Sequence, residues 1–326
     1  MRQVFEKFNN LKVLILGDVM IDSYIWGKVN RISPEAPVPI VSINERDWRL
    51  GGAANVALNI KALGADPILC SIVGDDAESD TFHELLEKRG MTKEGIIQSK
   101  DRLTTVKHRI LAGSQHMLRV DSETDKVISP IDEERLIKFV QGKLDEIDII
   151  IFEDYDKGVL TANVIEQVIA MAKSKAIPTT VDPKKRNFLS YSGCSLFKPN
   201  LKELREGLKV EFENKDIQAL TKAVNDLVKV MPVDAVMVTL SENGVYITDF
   251  GEKFHLPAHK REIADVSGAG DTVISIMSLC LAVGLPLEKI AGISNLGGGL
   301  VCEHLGVVPV EKERLLEEAT KLFGNE

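Results

Sequence analysis

The chain has 326 residues and a formal net charge of −9, with 44% apolar and 27% charged residues. That balance supports a folded core, and the acidic excess argues against a nucleic-acid partner, which requires a basic face. The length suits one α/β domain carrying an embellishment, and any anion it handles must meet positive groups gathered locally.

The opening MRQVFEKFNN lacks the apolar stretch of a secretion signal. LKVLILGD, from Leu11, then reads as a buried strand. From about Met20 to Trp48 the chain shows no helical period and carries several prolines. GGAANVALNIKALG, from Gly51, reads as a helix with a glycine start and a glycine stop. DPILCSIVG is a strand and AESDTFHELLEKRG a helix ending at Gly90. TTVKHRILAGSQHMLRVD, Thr104 to Asp121, alternates on either side of Gly113-Ser114 and predicts a hairpin. IDIIIFEDY, TANVIEQVIAMAKSKA and PTTVDP follow as strand, helix and strand, and DAVMVTLSENG as a strand entering a turn. A long apolar helix begins near Gly268, and LEKIAGISNLGGGLVCEHLG comes after it.

Apolar strands alternating with helices predict an α/β fold, a mostly parallel sheet flanked by helices. In such sheets ligands bind beyond the carboxyl ends of the strands. The two segments that break the rhythm, about 20–48 and 104–121, are expected to form a small β lid over that end. Cys70, Cys194, Cys280 and Cys302 form no CxxC pair and read as reduced core thiols. The longest apolar runs fall short of the ~20 residues of a membrane span. A cytoplasmic protein with no membrane partner is expected.

ADVSGAGDTVISIMSL, Ala264 to Leu279, carries the strongest chemical signal. Small residues leave backbone N–H groups bare where a helix begins, which suits an anion. Asp271 puts a carboxylate beside that anion. Phosphoryl transfer to an alcohol uses both: donors around the transferring group, and a carboxylate that orients the hydroxyl and accepts its proton. The plainer alternative is an ordinary helix start with Ser267 as N-cap and Asp271 facing the dipole. Walker, GxGxxG, protein-kinase, zinc and GxSxG signatures are all missing.

The pair GGAANVALNIKALG and DVSGAGDT, in that order and at that separation, resembles the ribokinase-like (PfkB) family of carbohydrate kinases over about residues 11–318. The resemblance implies the ribokinase-like fold, with Asp271 as catalytic base and Gly268, Ala269 and Gly270 as anion hole. It implies ATP and Mg2+ as cofactors, though no protein cage for magnesium is expected. It also implies a homodimer formed through the lid. Within the family, RISPEAPVPIV, TTVKHRI, LRVD, DYDKGVL, VDPK and KPNLKE are similar to blocks of heptose 7-phosphate kinases. The implied reaction phosphorylates the anomeric hydroxyl of that sugar phosphate, on the route to the ADP-heptose of lipopolysaccharide core. No HxGH nucleotidyl-transfer motif is present, so a stand-alone kinase is expected. Another sugar, or a silent regulator on the same fold, remains the alternative.

Each matched block has its own physical reading. Asp18 ends the first strand, where a carboxylate can accept from sugar hydroxyls, and Asp22 is a weaker candidate. Gly51 and Gly52 admit the sugar to the backbone, and Asn55 both donates and accepts. Lys107 and Arg109 share one strand face, with Arg119 on the return strand and Lys157 after DYD; these cations are candidates for the sugar's phosphate. On the nucleotide side stand Asn200, Leu201, Lys202 and Glu203 of NLKE, Asp182 and Lys184 of VDPK, Thr239, Ser241 and Gly244 of TLSENG, and Asn295 near the adenine. Asn200 and Glu203 also fit a capping box. Val307 stands where the family pattern has threonine, which leaves the adenine contacts and any monovalent-cation effect open.

Overall fold

The computed structural model describes residues 1–113 and 115–324. Helix α1 (Arg2–Phe8) leads into β1 (Lys12–Gly17). Two long strands follow, β2 (Val19–Ile32) and β3 (Pro39–Gly52), then α2 (Ala53–Ala62), β4 (Asp66–Gly74), α3 (Ala77–Lys88) and β5 (Ile96–Ser99). The expected hairpin forms from β6 (Val106–Ala112) and β7 (Gln115–Ser122); Ser114, in its expected turn, lies outside the described residues. The chain continues through α4 (Pro130–Lys143), β8 (Ile149–Glu153), α5 (Ala162–Ser174), β9 (Thr179–Asp182), β10 (Leu196–Phe197), α6 (Leu201–Leu208) and α7 (Ile217–Val230). It ends with β11 (Ala235–Thr239), β12 (Val245–Thr248), β13 (Lys253–Leu256), α8 (Ala269–Ala282), α9 (Leu287–Val301) and α10 (Lys312–Phe323).

Nine strands make the main sheet, in the order β13-β12-β11-β10-β9-β8-β1-β4-β5. Pairing is parallel from β5 to β11, and β12 and β13 add an antiparallel edge. Both faces are buried, which is why the strands read as unbroken apolar runs. In β1, Val13 and Ile15 enter one core while Leu14 and Leu16 enter the other, and none of the four is exposed. The first core contains buried residues of α2, α8, α9 and α10, and the second those of α4, α5, α6 and α7. All four cysteines are buried and free. No described helix is long and apolar enough to cross a membrane.

The two off-rhythm segments form a second sheet of order β3-β2-β6-β7. Strands β2 and β3 pair antiparallel from Val19↔Gly52 to Ile32↔Pro39. Strand β6 runs parallel to β2, with Asp22 opposite Lys107 and Tyr24 opposite Arg109. Gly51 and Gly52 are therefore the last residues of β3, and the helix expected from Gly51 begins at Ala53. The turn from β1 into β2 at Asp18 joins the two sheets and fixes the site.

Candidate active site

Helix α8 starts at the carboxyl end of the main sheet. Its N-cap is Gly268, not Ser267, at φ +79°, a conformation that favours glycine. Ser267 turns back instead: its N–H and Oγ–H donate to Asp265 Oδ1 at 3.0 and 2.9 Å. Of the three candidate amides, that of Ala269 donates to Val266 O at 3.3 Å. Gly268 and Gly270 belong to the helix start, whose N–H groups have no acceptor in a preceding turn.

Asp271, in the first turn of α8, is 5% exposed. Asn55 Nδ2 donates to its Oδ2 at 2.7 Å, and the Tyr155 hydroxyl to its Oδ1 at 2.8 Å. Burial pushes the Asp271 carboxyl up to about 6, against the opposing pull of those two hydrogen bonds. The arrangement holds a carboxylate able to take a proton near neutral pH beside an anion-binding turn. Asn55 Oδ1 is buried without a hydrogen-bond partner among the described residues.

The two acids expected on the sugar side sit in different surroundings. Asp18 is 1% exposed and accepts three backbone N–H groups: Tyr155 and Lys157 at Oδ2 (2.9 and 3.1 Å), and Val159 at Oδ1 (3.1 Å). It moors the loop after β8. Asp22 is bonded to Arg109 and lies beside Gly51, where an added Cβ would lie 2.5 Å from Asp22 Oδ2. Burial raises Asp22 above the usual carboxylate range, with Arg109 pulling the other way.

Three candidate cations gather as expected, each already facing an acid. Lys107 Nζ lies 3.3 Å from Glu123 and 3.6 Å from Asp121, and Lys157 Nζ lies 2.8 Å from Glu123. Arg109 pairs with Asp22. Arg119 stands opposite Arg109 in the β6–β7 pairing and reaches Asp121 at 3.0 Å, with its side chain 59% exposed.

On the other side of Asp271 the strand ends carry an acid–lysine cluster. Lys184 Nζ contacts Glu203 Oε1 at 2.6 Å and Asp182 Oδ1 at 3.8 Å; despite the cost of burial, these acids hold it protonated well above the usual lysine range. Lys198, buried after β10, reaches Asp182 Oδ2 at 2.8 Å. Glu153 ends β8 fully buried, and neither carboxylate oxygen has a hydrogen-bond partner among the described residues. Burial, then the charges of Asp182 and Asp271, raise it well above the usual range. Asn200 and Glu203 close the capping box of α6 reciprocally, each bond 2.8 Å long.

The remaining nucleotide-side candidates make the following contacts. Leu201 packs on the second core, and Lys202 is exposed, 3.7 Å from Glu206 on the next turn. Gly244 is required by packing: an added Cβ would lie 1.9 Å from Leu256 O. Thr239 bridges to Asn200, Ser241 is exposed, and Asn295 Nδ2 donates to Pro257 O at 2.8 Å.

Tyr155, Glu153 and Lys198 were missed from the sequence as individual residues. The signal was positional: each follows or ends an apolar parallel strand, where a polar side chain can face the site.

The described residues include no group of three or more His, Cys, Asp and Glu able to hold a metal directly.

Comparison with known proteins gives the fold and the family. The phosphofructokinase-2 of Escherichia coli, solved in complex with potassium, superposes with a TM-score of 0.78 at 19% identity, covering 96% of this chain and 99% of that one. An Arabidopsis thaliana ribokinase, complexed with ribose and ATP, gives 0.73 at 16% identity, covering 95% and 98%. These likenesses establish a ribokinase-like fold. The bifunctional protein HldE of Citrifermentans bemidjiense is 37% identical over 315 residues, 96% of this chain and 64% of the relative. That of Wolinella succinogenes is 40% identical over 294 residues, 90% and 61%. The chain thus spans less than two thirds of these relatives' length. The pfkB family carbohydrate kinase pattern matches residues 10–313, and the chain belongs to that family of ATP-dependent sugar kinases.

Proposed function

We propose that this chain transfers the γ-phosphoryl group of Mg-ATP to the anomeric hydroxyl of D-glycero-D-manno-heptose 7-phosphate, on the way to the ADP-heptose of lipopolysaccharide core. The observation that carries the kinase chemistry is Asp271, buried beside the Gly268 turn and held by Asn55 and Tyr155. The heptose assignment draws on the RISPEAPVPIV, TTVKHRI and DYDKGVL blocks and on the likeness to bifunctional HldE proteins.

Asp271 orients the acceptor hydroxyl and takes its proton as the sugar oxygen bonds to the γ-phosphorus. The bond from γ-phosphorus to the bridging oxygen breaks, and ADP leaves with that electron pair. The Gly268 and Gly270 amides face the charge on the moving phosphoryl group. Asp22 and Asn55 orient the sugar against the close backbone at Gly51 and Gly52. Lys107, Arg109 and Lys157 receive the sugar's own phosphate. Lys184 and Lys198 balance the acids at the nucleotide end; Glu203, Asp182 and Glu153 would meet a nucleotide-carried magnesium ion through water, and that ion would supply charge neutralisation for the ATP phosphates. The small sheet serves as the lid over this end of a single domain. Two copies pair through it, in the cytoplasm, where ATP is available.

The test is ADP release with Mg-ATP and heptose 7-phosphate, sedoheptulose 7-phosphate, fructose 6-phosphate, ribose or no sugar. Turnover with heptose 7-phosphate alone is expected. Turnover with another acceptor only would retain the kinase and discard the heptose. Asp271→Asn is expected to fold and to lose roughly three orders of magnitude in kcat; near-normal turnover would remove Asp271 from the mechanism.

A further inference from the structure

One contact outside the reacting groups spans nearly the whole sequence. Arg49, near the end of β3, donates from Nη1 to Val307 O at 3.3 Å. Its Nε donates to Asp47 Oδ2 at 2.7 Å, and its guanidinium carbon lies 4.8 Å from the Tyr24 ring centroid. Arg109, the partner of Asp22, approaches the same ring at 5.5 Å, and Trp26 stacks on it at 5.3 Å. Cation–ring contacts of this kind and a charged donor on a carbonyl make a specific junction, and a planar guanidinium serves both at once.

The segment gripped by Arg49 also supports the anion turn. Gly306 N donates to Asp265 Oδ2 at 2.9 Å, and Asp265 holds Ser267 through its other oxygen. Val307 packs behind Gly268, with its Cγ1 3.3 Å from where a Gly268 Cβ would sit. Gly306 is the point of closest approach: at φ +71°, an added Cβ would lie 2.7 Å from Arg49 Nη1 and 3.1 Å from the Tyr24 hydroxyl. The small sheet thus bears on one side of Gly306-Val307, and the turn that starts α8 bears on the other.

We propose that Arg49 is a positioning residue, latching the small sheet onto Gly306-Val307 so that the sheet carrying Asp22 and the turn carrying Gly268 hold one mutual geometry during transfer. Arg49 touches neither reacting group in this reading. Its loss lets the two halves of the site drift apart, and small misplacements are costly in transfer reactions.

The experiment compares Arg49→Ala, Arg49→Lys and Gly306→Ala with the parent enzyme, using Mg-ATP and whichever acceptor the panel identifies. ADP release without acceptor and the thermal midpoint are measured in parallel. Arg49→Ala and Gly306→Ala, which break the contact from opposite sides, are expected to lower kcat about ten-fold or more while KM for ATP stays within about two-fold. The ratio of acceptor-independent to acceptor-dependent ADP release is expected to rise, because water competes better in a loosened site. Arg49→Lys keeps the charge and loses the stacked fork, so partial recovery is expected. Should Arg49→Ala fail to fold, Gly306→Ala and Arg49→Lys carry the test. Turnover within two-fold of the parent in the alanine variants that fold, or a loss confined to KM for ATP with an unchanged ratio, would overturn the proposal.

Discussion

Asp271 was legible as a residue because its neighbours are informative: a glycine-rich turn leaves donors exposed, and the apolar run after it must be a buried helix. Tyr155 was not, since nothing local distinguishes it; only folding sets it against residue 271. The pair has a measurable consequence. Burial raises Asp271 to about 6, while Asn55 and Tyr155 favour its charged form. The base must be ionised, so kcat is expected to fall below about pH 6. Tyr155→Phe removes a bond to the charged form and should move that acid limb upward in a pH–rate profile; an unmoved or lowered limb would contradict the assignment. The same shift bears on stability. The folded carboxyl holds its proton to about 6 and the unfolded one only to about 3.8, so stability is lost as pH rises through that window. Asp271→Asn escapes this cost, and Asn55 can turn its unpartnered Oδ1 toward the new amide. The variant should be more stable than the parent at pH 8 by roughly 1–3 kcal/mol, with the gain shrinking toward pH 4 in urea titrations.

At the scale of elements, the main strands were readable because both faces are buried and the runs are continuously apolar. The surroundings of Asp18 and Asp22 show where that reading stops. Between them the chain leaves one sheet and enters another, so alternation along β1 says nothing about which way Asp22 points. Asp18 faces the loop after β8 and receives three of its N–H groups. Arg102 holds the same loop, donating to Lys157 O at 2.5 Å. Helix α6 is the opposite case, because its capping box could be read directly from Asn200 and Glu203. An Asp18→Asn change keeps the size of the side chain but points an N–H₂ group at backbone donors. It is expected to cost roughly 2–4 kcal/mol, seen as a lower urea midpoint at constant slope. It should also lower turnover, because Tyr155 and Lys157 ride on that loop. Unchanged stability would show that the loop holds itself.

For the whole molecule, the small sheet poses the remaining physical problem. Its outer strands, β3 and β7, are edges of fourteen and eight residues. Long unpaired edges invite strand addition unless something covers them. Val29, Ile32, Ile43, Leu118 and Val120 are all exposed on this one sheet, although the two cores of the main sheet are buried. The sequence suggested this sheet through the alternation of 104–121 and the missing helical period of 20–48, but a strand face turned to water in a monomer would carry polar groups where these apolar ones stand. Pairing of two such sheets, as proposed above, would cover both the edges and the apolar side chains. The chain is therefore expected to sediment as a dimer at micromolar concentration. A double substitution, Ile43→Lys with Leu118→Lys, puts like charges on both halves of the junction and should yield monomers. The dimer would also steady the sheet that carries Asp22 and Arg109, so the monomer should show a raised KM for the sugar phosphate with little change in KM for ATP. A parent chain that sediments as a monomer, or a double variant that still pairs, would place the covering of this sheet elsewhere.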